Sequence, residues 1–124
     1  MKHLKTLFLS AILSVLFIQT KAQVITFSKG IDHVKECCLA VKNAIASNDG
    51  ATAQNKAKDL IQALNDVPLK YMTPAQSGVW AKYIRQLQAD SNHISTVSAV
   101  ANQKEYFSDL TTNLQAAIDG LKMK

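Results

Sequence analysis

Apolar residues recur at three- and four-residue spacing from Ile31 onward, through Val34, Cys38, Val41 and Ile45, while Asp32, Lys35, Glu36 and Lys42 fall elsewhere around the helix. "SNDG", Ser47 to Gly50, ends this first predicted helix and turns the chain. A second run follows with Ala53, Ala57, Leu60, Ile61 and Leu64, closing near "NDVP", where Pro68 disfavours helical geometry at Val67. "TPAQ", Thr73 to Gln76, gives the clearest start signal: a capping hydroxyl, proline at the first helical position and glutamine at the third. Trp80, Tyr83, Ile84, Leu87 and Ile94 then form a broad apolar face. The polar, β-branched stretch from Ser91 to Ser98 is expected to hold a break, with Ser98 capping a last helix. That helix's face is Ala101, Phe107, Leu110, Leu114, Ala117, Ile118 and Leu121.

Four amphipathic helices with short connections bury their stripes most simply by antiparallel packing of sequential neighbours. The expected fold is therefore all-α, an up-down-up-down four-helix bundle over residues 31–124. Residues 23–30, which include "QVITFSK", are expected to form an arm lying on the bundle, because a single short strand would have no partner.

The first 22 residues change the view of compartment and charge. A basic start (Lys2, His3, Lys5), the apolar run Leu7 to Ile18 and the small residue Ala22 read as a secretory signal peptide cleaved after Ala22. The apolar run is shorter than the roughly 20 residues a membrane span needs. A periplasmic or secreted chain is expected, without stable membrane insertion after cleavage. The formal charge of +5 then falls, since Lys2, Lys5 and Lys21 leave and the remaining eleven basic and nine acidic residues sum to +2. No basic cluster suited to nucleic acid remains.

Candidate chemistry centres on "HVKECCLAV", residues 33–41. His33 and Cys37 lie one helical turn apart and can point the same way, whereas Cys38 lies about 100 degrees further around, on the apolar stripe. Copper(I) favours thiolates and accepts imidazole, so His33, Cys37 and Cys38 form a candidate soft-metal set. Two helical ligands alone make a weak site, and the spacing matches neither a Cys-x-x-Cys pair nor a usual zinc pattern. Buried cysteine also behaves as a small hydrophobe, and packing is the competing reading. Adjacent helical cysteines cannot readily bridge each other, which leaves an intermolecular disulfide through Cys37 as a third. Met72 and His93 fall at opposite ends of the third helix and cannot both join a compact site.

Signatures of catalysis are missing: Glu36 and Glu105 are the only glutamates, no nucleophile elbow occurs, and Gly30, Gly50, Gly78 and Gly120 are isolated. No catalytic or cofactor-binding residue is expected. Trp80, Tyr83, Tyr106 and Phe107 are scarce enough to be needed for the core, although aromatics also suit partner surfaces.

Three stretches carry a family resemblance: "LAVKNAIASNDGATAQNKAKDLIQALNDV" from Leu39, "WAKYIRQLQADSNHIS" from Trp80 and "VANQKEYFSDLTTNL" from Val100. The last contains a glutamine-basic-x-x-phenylalanine pattern at Gln103, Lys104 and Phe107. Together they resemble the family called domain of unknown function 3347, exported helical proteins typical of Bacteroidetes. The resemblance implies a setting beside copper and heavy-metal efflux adaptors. Longer members continue into a cysteine-proline-methionine type segment suited to soft metals, and the sequence to Lys124 contains none.

Two functions follow as expectations. One is an exported, non-catalytic bundle that contacts an unidentified envelope protein or itself, as an accessory of an envelope or metal-efflux system. The alternative is a periplasmic copper-binding protein using His33, Cys37 and Cys38.

Overall fold

The computed structural model describes residues 28–122. Helix α1 covers residues 28–46, followed by α2 (Gly50–Asn65), a 3-10 turn (Leu69–Tyr71), α3 (Pro74–Thr96) and α4 (Val100–Leu121). The first helix thus includes residues 28–30, three positions earlier than the apolar stripe indicates. The expected signal peptide, 1–22, and residues 23–27 of the expected arm lie outside the described residues.

The bundle is all-α with the expected up-down-up-down arrangement. Helix α3 packs between α2 and α4, while α2 and α4 face each other diagonally and touch least among these three helices. Helix α1 closes the ring, with Ala40 and Ala44 beside Thr52 and Lys56 of α2, and Cys38 and Lys42 beside Phe107 and Ile118 of α4. The core draws on every helix: Ile31, Val34 and Val41 from α1, Ala53 and Leu60 from α2, Leu87 and Ile94 from α3, and Leu110 and Ala117 from α4.

Local chemistry explains each turn. Asn48 adopts the left-handed conformation (φ 57°), the Asn48 amide donates to Ile45 O at 2.9 Å and the Asp49 amide to Ala44 O at 2.9 Å. This paired pattern is a Schellman ending, for which asparagine is the usual substitute for glycine. Asp49 then starts α2 at once, its carboxylate accepting from the Thr52 amide at 3.1 Å and the Thr52 hydroxyl at 2.7 Å. Those two bonds hold the Asp49 carboxyl below its ordinary pKa.

The capping box forms as the sequence indicates, with Thr73 Oγ1 accepting from the Gln76 amide at 3.1 Å and Gln76 Oε1 from the Thr73 amide at 3.0 Å. Helix α3 then persists through Ser91 to Thr96, because hydroxyls in this stretch turn back on their own helix. Ser91 Oγ donates to Leu87 O at 2.7 Å and Thr96 Oγ1 to Asn92 O at 3.1 Å. The break falls at residues 97–99.

Ser98 does not cap α4. The capping position is Ala99, which offers no side-chain bond, and the α3–α4 junction is tied instead through its carbonyls by Gln103, one turn into the helix. Its side chain is wholly buried, and Nε2 donates to Gly50 O at 3.0 Å and Val97 O at 2.9 Å. Gln54 Nε2 donates to the same Val97 carbonyl at 3.0 Å. Gln103 therefore occupies the inward position on the first turns of α4, while Ala101, expected on the core face, is exposed.

Gly50 permits this crossing. A Cβ built there would stand 2.5 Å from Ser98 O, a backbone atom that cannot step aside cheaply, whereas one built at Gly78 on exposed α3 meets nothing within 4 Å. Gly50→Ala is expected to cost about 1–3 kcal/mol through overpacking, while Gly78→Ala should add about 0.5–1 kcal/mol through helix propensity. Urea denaturation of the two variants beside the parent reads both signs in one experiment.

Candidate functional site

The first helix brings His33 and Cys37 together and sends Cys38 elsewhere. His33 Nε2 lies 3.8 Å from Cys37 Sγ, and His33 Nδ1 lies 3.7 Å from Glu36 Oε2 on the solvated side. Cys37 borders α2, where Asp59 and Lys56 act on it. Cys38 turns toward α4 and lines the space between α1 and α4. Both thiols are free and mostly buried.

Burial pushes the Cys37 thiol up, and the Asp59 and Glu36 carboxylates add to it against the opposing pull of Lys56. Cys38 rises to about 11, again first through burial and then through Cys37, with Lys42 opposing. Metal capture by thiolate requires loss of that proton, which burial opposes at both cysteines. Among the described residues, no group of three or more histidine, cysteine, aspartate or glutamate side chains is arranged to hold an ion. Met72 is buried in the core at the connection preceding α3, whereas His93 stacks on Tyr106 with ring centroids 4.5 Å apart. Met72 and His93 stand at opposite ends of α3.

Two lateral grooves carry the exposed large apolar side chains of the described residues. Leu39, 55% exposed, lies in the groove between α1 and α4, and Leu69, 52% exposed, lies in that between α2 and α3. Trp80 is buried beneath the second groove and Phe107 is partly buried in the first. Sequence periodicity placed Trp80 correctly in the core. It gave no role to Leu39, yet Leu39 is apolar and stands off the Val34–Cys38–Val41 stripe, which was a readable signal.

Asp90 is a second residue that periodicity left without a role. It is 3% exposed, on the inward side of α3 between Leu87 and Ile94. Asp90 Oδ1 accepts from Gln86 Nε2 at 3.0 Å, while Oδ2 has no hydrogen-bond partner among the described residues. The Asn113 amide on facing α4 donates to Asp109 O instead. Desolvation raises the Asp90 pKa against the opposing Gln86 hydrogen bond, and the Asp109 carboxylate adds to the rise while His93 and Asn113 reduce it. An acid spaced three residues after Leu87 and four before Ile94 is visible in the sequence as a polar interruption of an apolar stripe.

A carboxyl whose folded pKa lies above its unfolded value of about 3.9 binds protons more readily in the native state. Its ionisation therefore weakens the fold as pH rises through the raised value, and stability returns on acidification until the unfolded carboxyl also protonates. Asp90→Asn should stabilise the protein at neutral pH, where the parent's carboxyl is ionised. The advantage over the parent should shrink as pH falls toward the ordinary aspartate range. Parallel thermal melts of the two proteins from pH 7 to pH 4 measure that difference.

No described helix is long and apolar enough to cross a membrane. No curated protein and no solved structure matches the chain. A family match extends over residues 34–124, from the second turn of the α1 stripe to the last residue, and takes in the Schellman turn, the capping box and Gln103. The chain belongs to the family described as "Protein of unknown function (DUF3347)".

Proposed function

We propose that this protein is an exported, non-catalytic helical bundle that acts by contacting another protein, as an accessory component of an envelope or metal-efflux system. The observation that carries the reading is the placement of Leu39 and Leu69, two large apolar side chains left more than half exposed in lateral grooves. Among the described residues, the one buried carboxyl, Asp90, sits in the interface between α3 and α4 rather than in a cleft. Export follows from the amino-terminal pattern of basic start, apolar run and small residues. The efflux setting follows from the family resemblance alone.

A photo-crosslinking residue placed at Leu39, at Leu69 or at exposed Lys58 as a control tests the reading in cells. A discrete adduct with another envelope protein is expected at one of the leucine positions and not at Lys58. Adducts no stronger at either leucine than at the control would overturn it.

The approach of His33 to Cys37 favours copper binding as a second reading, in which a second subunit or partner completes the ligand set. Two such pairs in a symmetric dimer supply four ligands of the kind copper(I) accepts. Anaerobic copper(I) titration against a competing chelator should then give stoichiometric uptake that is lost in the His33→Ala, Cys37→Ala variant and is accompanied by dimer mass. Equal, weak uptake by both proteins would eliminate this second reading.

A further inference from the structure

The groove between α1 and α4 has a chemistry of its own. Its floor is apolar, formed by Cys38, Leu39, Phe107, Leu114 and Ile118, and its α1 rim carries Lys35 and Lys42. No acidic side chain lines it among the described residues. Lys42 has no ion pair among the described residues, and Lys35 meets only Asp32, at 3.9 Å between two solvated side chains. A solvated contact of that length is worth little and is easily exchanged.

Two features decide what kind of occupant fits. The cavity volume of about 260 Å³ falls below the roughly 300–1,000 Å³ of sites that enclose a whole small molecule. The space is an open trough that admits a few side chains. Lys35 and Lys42 are seven residues apart, two helical turns or about 10 Å along one edge. That is also the repeat of i and i+7 positions on another helix, and a helix laid in such a trough presents apolar anchors at intermediate positions.

We propose that the α1–α4 groove docks an amphipathic helix of a partner protein, with apolar side chains against Leu39 and Phe107 and acidic side chains opposite Lys35 and Lys42. This identifies the surface and partner chemistry for the interaction reading given above, and rests on it. Charge complementarity selects against a symmetric contact with the same groove of a second copy, which would bring Lys35 and Lys42 against their own kind. The groove between α2 and α3 has no such basic rim: its lining residues, including Leu69, Trp80 and Gln88, carry no lysine or arginine.

The test uses two synthetic helical peptides with the same leucines at i, i+3, i+4 and i+7, flanked in one by glutamates and in the other by lysines. Binding is read by fluorescence polarisation, and the site by amide chemical shifts in the full protein. The glutamate peptide is expected to bind at least tenfold more tightly, shifting Leu39, Phe107 and Ile118. In the Lys35→Glu, Lys42→Glu protein the preference should reverse. Both lysines are exposed, so this variant should keep the parent's amide spectrum away from the groove. Equal binding of the two peptides, no binding of either, or shifts confined to the Leu69 groove would overturn the proposal. Cellular crosslinks formed at Leu69 and not Leu39 would sink this groove assignment while leaving the broader interaction reading intact.

Discussion

The hydrogen bonds of Gln103 tie the α3–α4 junction to the start of α2, 53 residues away in the sequence. Its amide reaches Val97 at the end of α3 and Gly50 at the start of α2 from a buried position on α4. A helix carboxyl end leaves carbonyls without intrahelical partners, and burying them unpaired would oppose folding. Gln103 and Gln54 both donate to the Val97 carbonyl, so the α3–α4 connection can lie on the bundle instead of in water. Gly50 is part of the same arrangement, because only its lack of a Cβ lets α2 begin directly against Ser98 O. One end of the bundle is thus fixed by a polar knot, and the remainder by apolar stripes.

That knot explains why some of the fold could be read directly and some could not. The four stripes, the SNDG turn and the Thr73 capping box are local patterns, complete within a few residues, and the structure contains each of them. Asn48 and Asp49 satisfy the end of one helix and the start of the next without help from elsewhere. The beginning of α4 differs because it has no side-chain cap, and the junction before it is held by a tertiary contact instead. Ser98 has the usual capping chemistry, but the nearby carbonyls are served by Gln103 across the junction. A rule based on sequence neighbours therefore selects the wrong residue, and also assigns Ala101 to a face that Gln103 fills. The glutamine of the Gln103–Lys104–Phe107 pattern is a tertiary link, with Phe107 one turn further on at the groove.

The candidate site was legible in the same uneven way. A four-residue spacing suffices to bring His33 against Cys37, and the helix does so. The fate of Cys38 depends on which neighbour it meets, and the one-residue step turns it from α2 toward α4. The two thiols consequently occupy separate environments, each losing acidity to burial. A single cluster containing both would require α1 to rotate or unwind, against the burial of Ile31, Val34 and Val41 on its inner face. The adjacency that makes "CC" conspicuous as text is what separates the two sulfurs in space.

The α1–α4 seam is the least constrained boundary of the bundle. Three seams join helices consecutive in the chain, so a short connection sets their spacing at one end. The fourth joins the first and last helices and is held by side chains alone. Cys38 and Thr111 are small for positions along that seam, and the space they leave exposes Leu39 instead of sealing it. Lysine on the α1 rim then makes the opening selective, since an apolar trough edged with cations disfavours its own duplicate and accepts an acidic surface. Stability and recognition are divided accordingly: the polar knot and inner stripes hold the bundle, while the seam without a connecting turn carries the groove.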